Sequence, residues 1–369
     1  MKTVMGLINL HEDGSLIREL AEKRAVESIP FGGRLRIIDF TLSGMVNAGI
    51  LNVGVMLPDQ DRSILDHLRS GKDWDLARRR DGMYYIPAVK VDKEARSGDL
   101  KNFYYNLDFI EHSKQKYVLL TSGSFIYNVD FNKTLAFHHE HEAEITLAYY
   151  TAKEESTGRN AVLKTDDGGR VTDIAEKSVV YDGTKICMGI YFMEKHLFVN
   201  LVRHAYERGG QDFLVDAIMR RLNDYKICAY EHQGYVAHIA TTGAYYQANM
   251  DMLKPEVWGE LFLNPQRPIY TKAYDSVPVQ YKETAKVKNS LIANGCIIQG
   301  EVENSVLFRG VKIGKGAKIK NSIIMQKSEV KEGAVVENSI CDKNVTISEG
   351  KWLKGAENYP YILEKGAVI

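Results

Sequence analysis

The chain has 369 residues, of which 44% are hydrophobic and 26% charged, a composition that excludes extensive disorder and suffices for two domains. Forty-eight basic residues balance 48 acidic ones, so no overall charge recruits nucleic acid or an anionic membrane. Four scattered cysteines, Cys187, Cys228, Cys296 and Cys341, form no CxxC pair, which argues against disulfide and zinc frameworks and fits a reducing cytoplasm.

The opening MKTVMGLINL turns polar at His11, Glu12 and Asp13, too early for a secretory core. No stretch approaches the roughly 20 apolar residues of a membrane span. A cytoplasmic chain without a membrane partner is expected. Met5–Leu10 reads as a strand, and Arg36–Ala48 has apolar residues near helical spacing, stopped at Asn47-Ala48-Gly49. Leu51–Leu57 is a second strand, followed by a helix through Ile64 and Leu68. Lys116–Thr121 is a short apolar run of the kind buried inside parallel sheets. A helix containing Leu135 and Phe137 then leads into a strand over Glu144–Tyr150. This alternation predicts an α/β domain with a mostly parallel sheet, whose ligands sit beyond the carboxyl ends of the strands.

After about residue 285 the pattern changes. Asn304-Ser305-Val306, Asn321-Ser322-Ile323 and Asn338-Ser339-Ile340 recur in register, and Ile313/Ile319 and Val330/Val336 repeat at hexapeptide spacing. Aliphatic residues at that step, separated by small and polar ones, predict a parallel β-helix. Pro255, Pro265, Pro268 and Pro278 punctuate the segment between the halves. The expected organisation is an α/β domain over 1–253, a linker over 254–284 and a β-helix over 285–369.

The stretch Arg24–Ile50, RAVESIPFGGRLRIIDFTLSGMVNAGI, resembles the N-terminal signature of glucose-1-phosphate adenylyltransferases. Gly123 with Ile126-Tyr127 and Asp130, Glu176-Lys177, Met188-Gly189-Ile190-Tyr191, Asp212-Phe213 with Asp216, and Ala248-Asn249-Met250-Asp251 continue the match in order. The resemblance implies a Rossmann-like nucleotidyltransferase domain followed by a left-handed parallel β-helix. It also implies a family that makes ADP-glucose from ATP and glucose 1-phosphate, commonly as effector-controlled tetramers.

The departures fall on the chemistry. The family's phosphate-loop glycine pair aligns with His11 and Glu12, its arginine with Leu16 and its following lysine with Val26. Glycines let backbone N–H groups close around phosphates, whereas Glu12 and Asp13 bring negative charge to them. The two aspartates that hold Mg²⁺ in the family align with Ser124 and His238, and its GTADA segment is Gly98-Asp99-Leu100-Lys101-Asn102. Phosphoryl chemistry depends on positioning and charge neutralisation, so this combination predicts little or no catalysis and no Mg²⁺ or other cofactor in this chain. It resembles the GlgD-type regulatory subunits of the family.

The sugar side retains more. By the resemblance, Glu176 and Lys177 face a sugar phosphate, with Ser178 and Cys187 replacing a proline and a serine of the family motifs. Lys23, Arg24 and Arg36 match positions of a basic effector site, where guanidinium groups suit phosphate; ordinary surface salt bridging is the alternative. His138, His139 and His141 with Glu140 and Glu142 read as a polar helix face rather than metal ligands. Three functions follow: a non-catalytic subunit assembled with a homologous catalytic chain, as a heterotetramer with a sugar-phosphate effector; an active adenylyltransferase with a rearranged site; or a hexapeptide-repeat acyltransferase. The last normally needs a histidine on or beside the β-helix, and the final histidine here is His238.

Overall fold

Val4–Asn9 is buried along nearly its whole length, as a strand with neighbours on both edges and cover on both faces must be. The computed structural model describes residues 2–89, 98–357 and 359–369. In chain order the first strands are β1 (Val4–Asn9), β2 (Pro30–Phe31), β3 (Leu35–Arg36), β4 (Asn52–Met56), β5 (Gly82–Ile86), β6 (Tyr117–Ser122) and β7 (Phe125–Tyr127). They continue with β8 (Ile145–Thr151), β9 (Ser156–Thr165), β10 (Val171–Val180), β11 (Lys185–Glu194), β12 (Ile227–Glu231) and β13 (Val236–His238).

The chain divides into two units, one of Met1–Asp13, Phe40–His238 and Gln266–Tyr270, the other of Gly14–Asp39, Ile239–Pro265 and Thr271–Ile369. In the first unit a nine-stranded sheet runs β10-β9-β11-β6-β1-β4-β5, with β8 pairing β11 and β12. β6, β1, β4 and β5 are mutually parallel, and β12 is parallel to β8. β11 runs antiparallel to β6 and β8, and β9 and β10 form an antiparallel pair. The aliphatic runs of β4 and β6 are buried like that of β1, while Phe103 meets Phe198 and Phe213 edge-on at centroid separations of 5.6 and 5.5 Å.

The helix Phe131–Glu140 corrects one expectation. His138 does not belong to a polar face; it is buried, with Nδ1 2.9 Å from Thr146 Oγ1. Burial, with His139 nearby, pushes its imidazole down to about 4, so it packs as a neutral ring.

In the second unit, three five-stranded parallel sheets form the faces of a β-helix. Successive coils repeat after 15 residues at Asn289/Asn304 and after 17 at Asn321/Asn338. The Asn-Ser repeat has a direct physical cause. Asn304, Asn321 and Asn338 take φ of 47°, 45° and 49°, a left-handed corner that asparagine tolerates better than other side-chain-bearing residues. The following serines are buried and form an internal ladder. Ser322 N donates to Ser305 Oγ at 3.1 Å and Ser339 N to Ser322 Oγ at 3.2 Å. Each hydroxyl in turn donates to the carbonyl two residues back, at 2.7 to 2.8 Å. The buried serine hydroxyls and the N–H groups they meet are thereby satisfied. Within the segment expected as a linker, Pro255–Phe262 forms a helix with Pro255 in its first turn, where the missing N–H costs nothing. Among the described residues no helix is long and apolar enough to cross a membrane.

Candidate functional site

Strand register assembles the first cluster. Asn9 of β1 lies opposite Ser122 of β6, so the segments after both strands leave the sheet at the same carboxyl edge. The ribbon of β7 and β13 places His238 opposite Phe125. Glu12, Ser122, Ser124 and His238 therefore converge. His238 Nε2 lies 3.2 Å from Glu12 Oε1, Ser122 Oγ 3.4 Å from Glu12 Oε2, and Ser122 Oγ 2.8 Å from Ser124 Oγ. Burial opposes ionisation of Glu12, but hydrogen bonds and charge from His238, with the Ser122 and Ser124 hydroxyls, hold its carboxyl below the usual glutamate range.

The two positions aligned with metal aspartates, Ser124 and His238, are thus brought together, and a carboxylate sits with them. A cation site would present carboxylates around a space for the ion. Here the one carboxylate accepts from an imidazole and a hydroxyl, and the remaining groups are neutral alcohols. Mg²⁺ requires hard oxygen donors in a near-octahedral set, which this donor set does not match.

Beside it, Gly98 permits a close approach of two loops, since a Cβ there would lie 2.0 Å from the Gln211 carbonyl oxygen. Leu100 N donates to that oxygen at 3.1 Å. Asp99 is consequently drawn inward, accepting from Asn9 Nδ2 at 2.8 Å and Phe213 N at 2.9 Å. Burial and the nearby Asp212 raise its carboxyl to about 7, against the pull of those hydrogen bonds. His11, within hydrogen-bond reach of Asn102 Nδ2, is held below its usual range by burial despite Asp59.

On the sugar side, Glu176 and Lys177 stand adjacent on β10, both exposed. A bulge between Lys177 and Val179 leaves Gly158 and Arg159 together opposite Ser178 and aims Arg159 at Glu176, its Nε 3.0 Å and Nη2 2.9 Å from Oε1. Arg159 was not evident from the sequence, because a register shift leaves no periodic trace.

In the second unit, Leu16 is 53% exposed and Val26 is buried; neither meets the other in a polar cluster. Lys23 is exposed and Arg36 half-buried. Arg24 is no surface residue. At 7% exposure it ion-pairs with Asp342 at 2.8 Å and donates from Nε to Leu20 O at 2.8 Å. Lys343, next along the terminal coils, shares the charge environment of Arg24 and Arg36. Sequence reasoning missed Asp342 and Lys343, which lie in the repeat region with no motif to mark them.

Residues 13–255 match the nucleotidyl transferase family, and 276–355 match the GlmU-like C-terminal hexapeptide family. A glycogen biosynthesis protein GlgD of Geobacillus stearothermophilus is 39% identical over 367 residues, covering 99% of this chain and 97% of that protein. The chain belongs to the glucose-1-phosphate adenylyltransferase family. GlgD of Bacillus subtilis is 34% identical over 317 residues, covering 86% of this chain and 82% of its own length. A glucose-1-phosphate adenylyltransferase of Mycoplasma mobile is 34% identical over 324 residues, with 86% and 84% covered. The family's fold, a nucleotidyltransferase domain with a left-handed hexapeptide β-helix, is that of this chain.

Proposed function

We propose that the chain is a non-catalytic regulatory subunit in glycogen biosynthesis. It assembles with a homologous catalytic glucose-1-phosphate adenylyltransferase chain as a heterotetramer in the cytoplasm. The reading rests on one observation: the Glu12 carboxylate, engaged by His238 and Ser122, lies with the residues that replace the family's metal aspartates. A metal-bound polyphosphate needs carboxylates left open to the ion, whereas here the single carboxylate of the cluster is taken up by His238 and Ser122. Mg²⁺ and nucleotide then belong to the catalytic partner. Glu176 and Lys177 hold a sugar phosphate without turning it over, and the basic cluster of Lys23, Arg24 and Arg36 takes a phosphate-bearing effector. The close relation to proteins named GlgD supports the pathway.

The test has two arms. The isolated chain, given ATP, glucose 1-phosphate and Mg²⁺, is expected to turn over at least tenfold below the typical enzyme median of roughly 10 per second; a rate near that median overturns the non-catalytic reading. Co-expressed with a catalytic homologue, it is expected to co-elute in size-exclusion chromatography and to alter turnover or effector response. Separate elution with unchanged kinetics overturns the partnership.

A further inference from the structure

Three side chains from the end of β1 and the segment after it reach three different places, all within the first unit. Asn9 Nδ2 donates to Asp99 Oδ2 at 2.8 Å, and Asp99 Oδ1 accepts from Phe213 N at 2.9 Å. The His11 ring meets the Asn102 amide, Nε2 3.0 Å and Nδ1 3.3 Å from Nδ2, while Asn102 Oδ1 accepts from Val89 N at 2.9 Å. Glu12 takes His238 on one carboxylate oxygen and Ser122 on the other.

The elements reached in this way are weak by themselves. Asp99 and Asn102 stand at the start of a six-residue helix, Leu100–Tyr105, far below the length at which an isolated helix persists. Asp99 occupies its N-cap without making a capping bond; the carboxyl is committed to Asn9 and Phe213 N instead. β7 and β13 have three residues each and form a two-stranded sheet of their own, and such a ribbon is marginal in water. Asn9 and His11 therefore hold the first element, and Glu12 holds the second through His238. Glycines at 11 and 12 would have no side chain for this work and would leave it to a bound phosphate, whose oxygens gather backbone N–H groups.

We infer that Asn9, His11 and Glu12 act as a built-in ligand: their side chains keep the 98–105 segment and the β7/β13 ribbon in one arrangement whether or not nucleotide is present. This rests on the non-catalytic reading above and adds its regulation. A subunit held in this way offers its partner a conformation that does not follow the nucleotide level.

Hydrogen exchange of the full chain, read peptide by peptide in a mass spectrometer, tests it. In the wild type, exchange of 98–105 and of the β7/β13 ribbon should not change on adding millimolar ATP, with or without Mg²⁺. His11→Ala should speed exchange about three- to tenfold in 98–105 and leave the ribbon as it was, the effect of losing a neutral hydrogen bond. Glu12→Ala should speed the ribbon about tenfold or more and leave 98–105, the effect of losing bonds to a charged group. Peptides of β9 and β10 report general loosening of the unit, and either variant decides alone if the other does not fold. Protection of either segment by ATP in the wild type overturns the inference. So does a variant that leaves its own segment unchanged or loosens both segments alike. ADP-glucose formation by the isolated wild-type chain instead overturns the non-catalytic reading, and this inference with it.

Discussion

His238 Nε2 lies 3.2 Å from Glu12 Oε1 while its ring stacks on Phe125, with 4.2 Å between centroids and 6° between planes. The stacking fixes the imidazole, and the fixed imidazole holds the carboxylate. Two residues 226 positions apart thus close the carboxyl edge of β1 and β6.

Because the Glu12 carboxyl is held below its ordinary range, its contribution to stability is present above the unfolded glutamate pKa. It is lost as pH falls through the lower folded value. Glu12→Gln should lower stability by about 1.5–3 kcal/mol at neutral pH, the usual worth of hydrogen bonds to a charged group. At acidic pH the difference from wild type should shrink, as the folded carboxyl takes up its proton. Urea midpoints of both proteins at the two pH values measure this; an equal deficit at both would remove the charge argument.

The buried Arg24–Asp342 pair makes a second prediction. Removing one partner strands a charge, so Arg24→Met should cost about 3–5 kcal/mol, whereas replacing both residues by apolar ones should recover most of that loss. Denaturation midpoints of Arg24→Met and of the double variant Arg24→Met/Asp342→Leu form the comparison. A double variant no better than the single one would mean that Arg24 acts through its bond to Leu20 O rather than through the ion pair.

Asp99 behaves in the opposite sense to Glu12. Its folded pKa, raised to about 7, lies above the unfolded value, so its favourable contribution is fully present below the unfolded value and falls away as pH rises toward 7. Asp99→Asn keeps the side chain neutral and should flatten that decline, raising stability at about pH 8 by about 1–2 kcal/mol. Asn9 Oδ1 is buried without a partner among the described residues; turning that amide would offer protonated Asp99 an acceptor. Stability profiles from about pH 4 to pH 8 test this, and parallel profiles for variant and wild type would exclude Asp99 as the titrating group.

The sequence by itself determined the architecture, because repeating structure leaves repeating signals. Asn-Ser-aliphatic recurs because each coil needs a left-handed corner and a hydroxyl to satisfy the next coil's N–H. The aliphatic runs of β1, β4 and β6 announce strands buried on both faces. The sequence also marked Ser124 and His238 as departures, though not what they became. Glu12 reads along the chain as a charge opposed to phosphate, and only the β1/β6 register and the β7/β13 ribbon turn it into the partner of His238. Arg24 is likewise a basic residue in a motif until Asp342, 318 residues away, is folded against it. Local propensity and periodicity act over a few residues and survive in the linear text. Pairing of single charges across hundreds of residues has no period, so tertiary structure alone decides which carboxylate meets which cation, and hence which groups remain to bind a ligand.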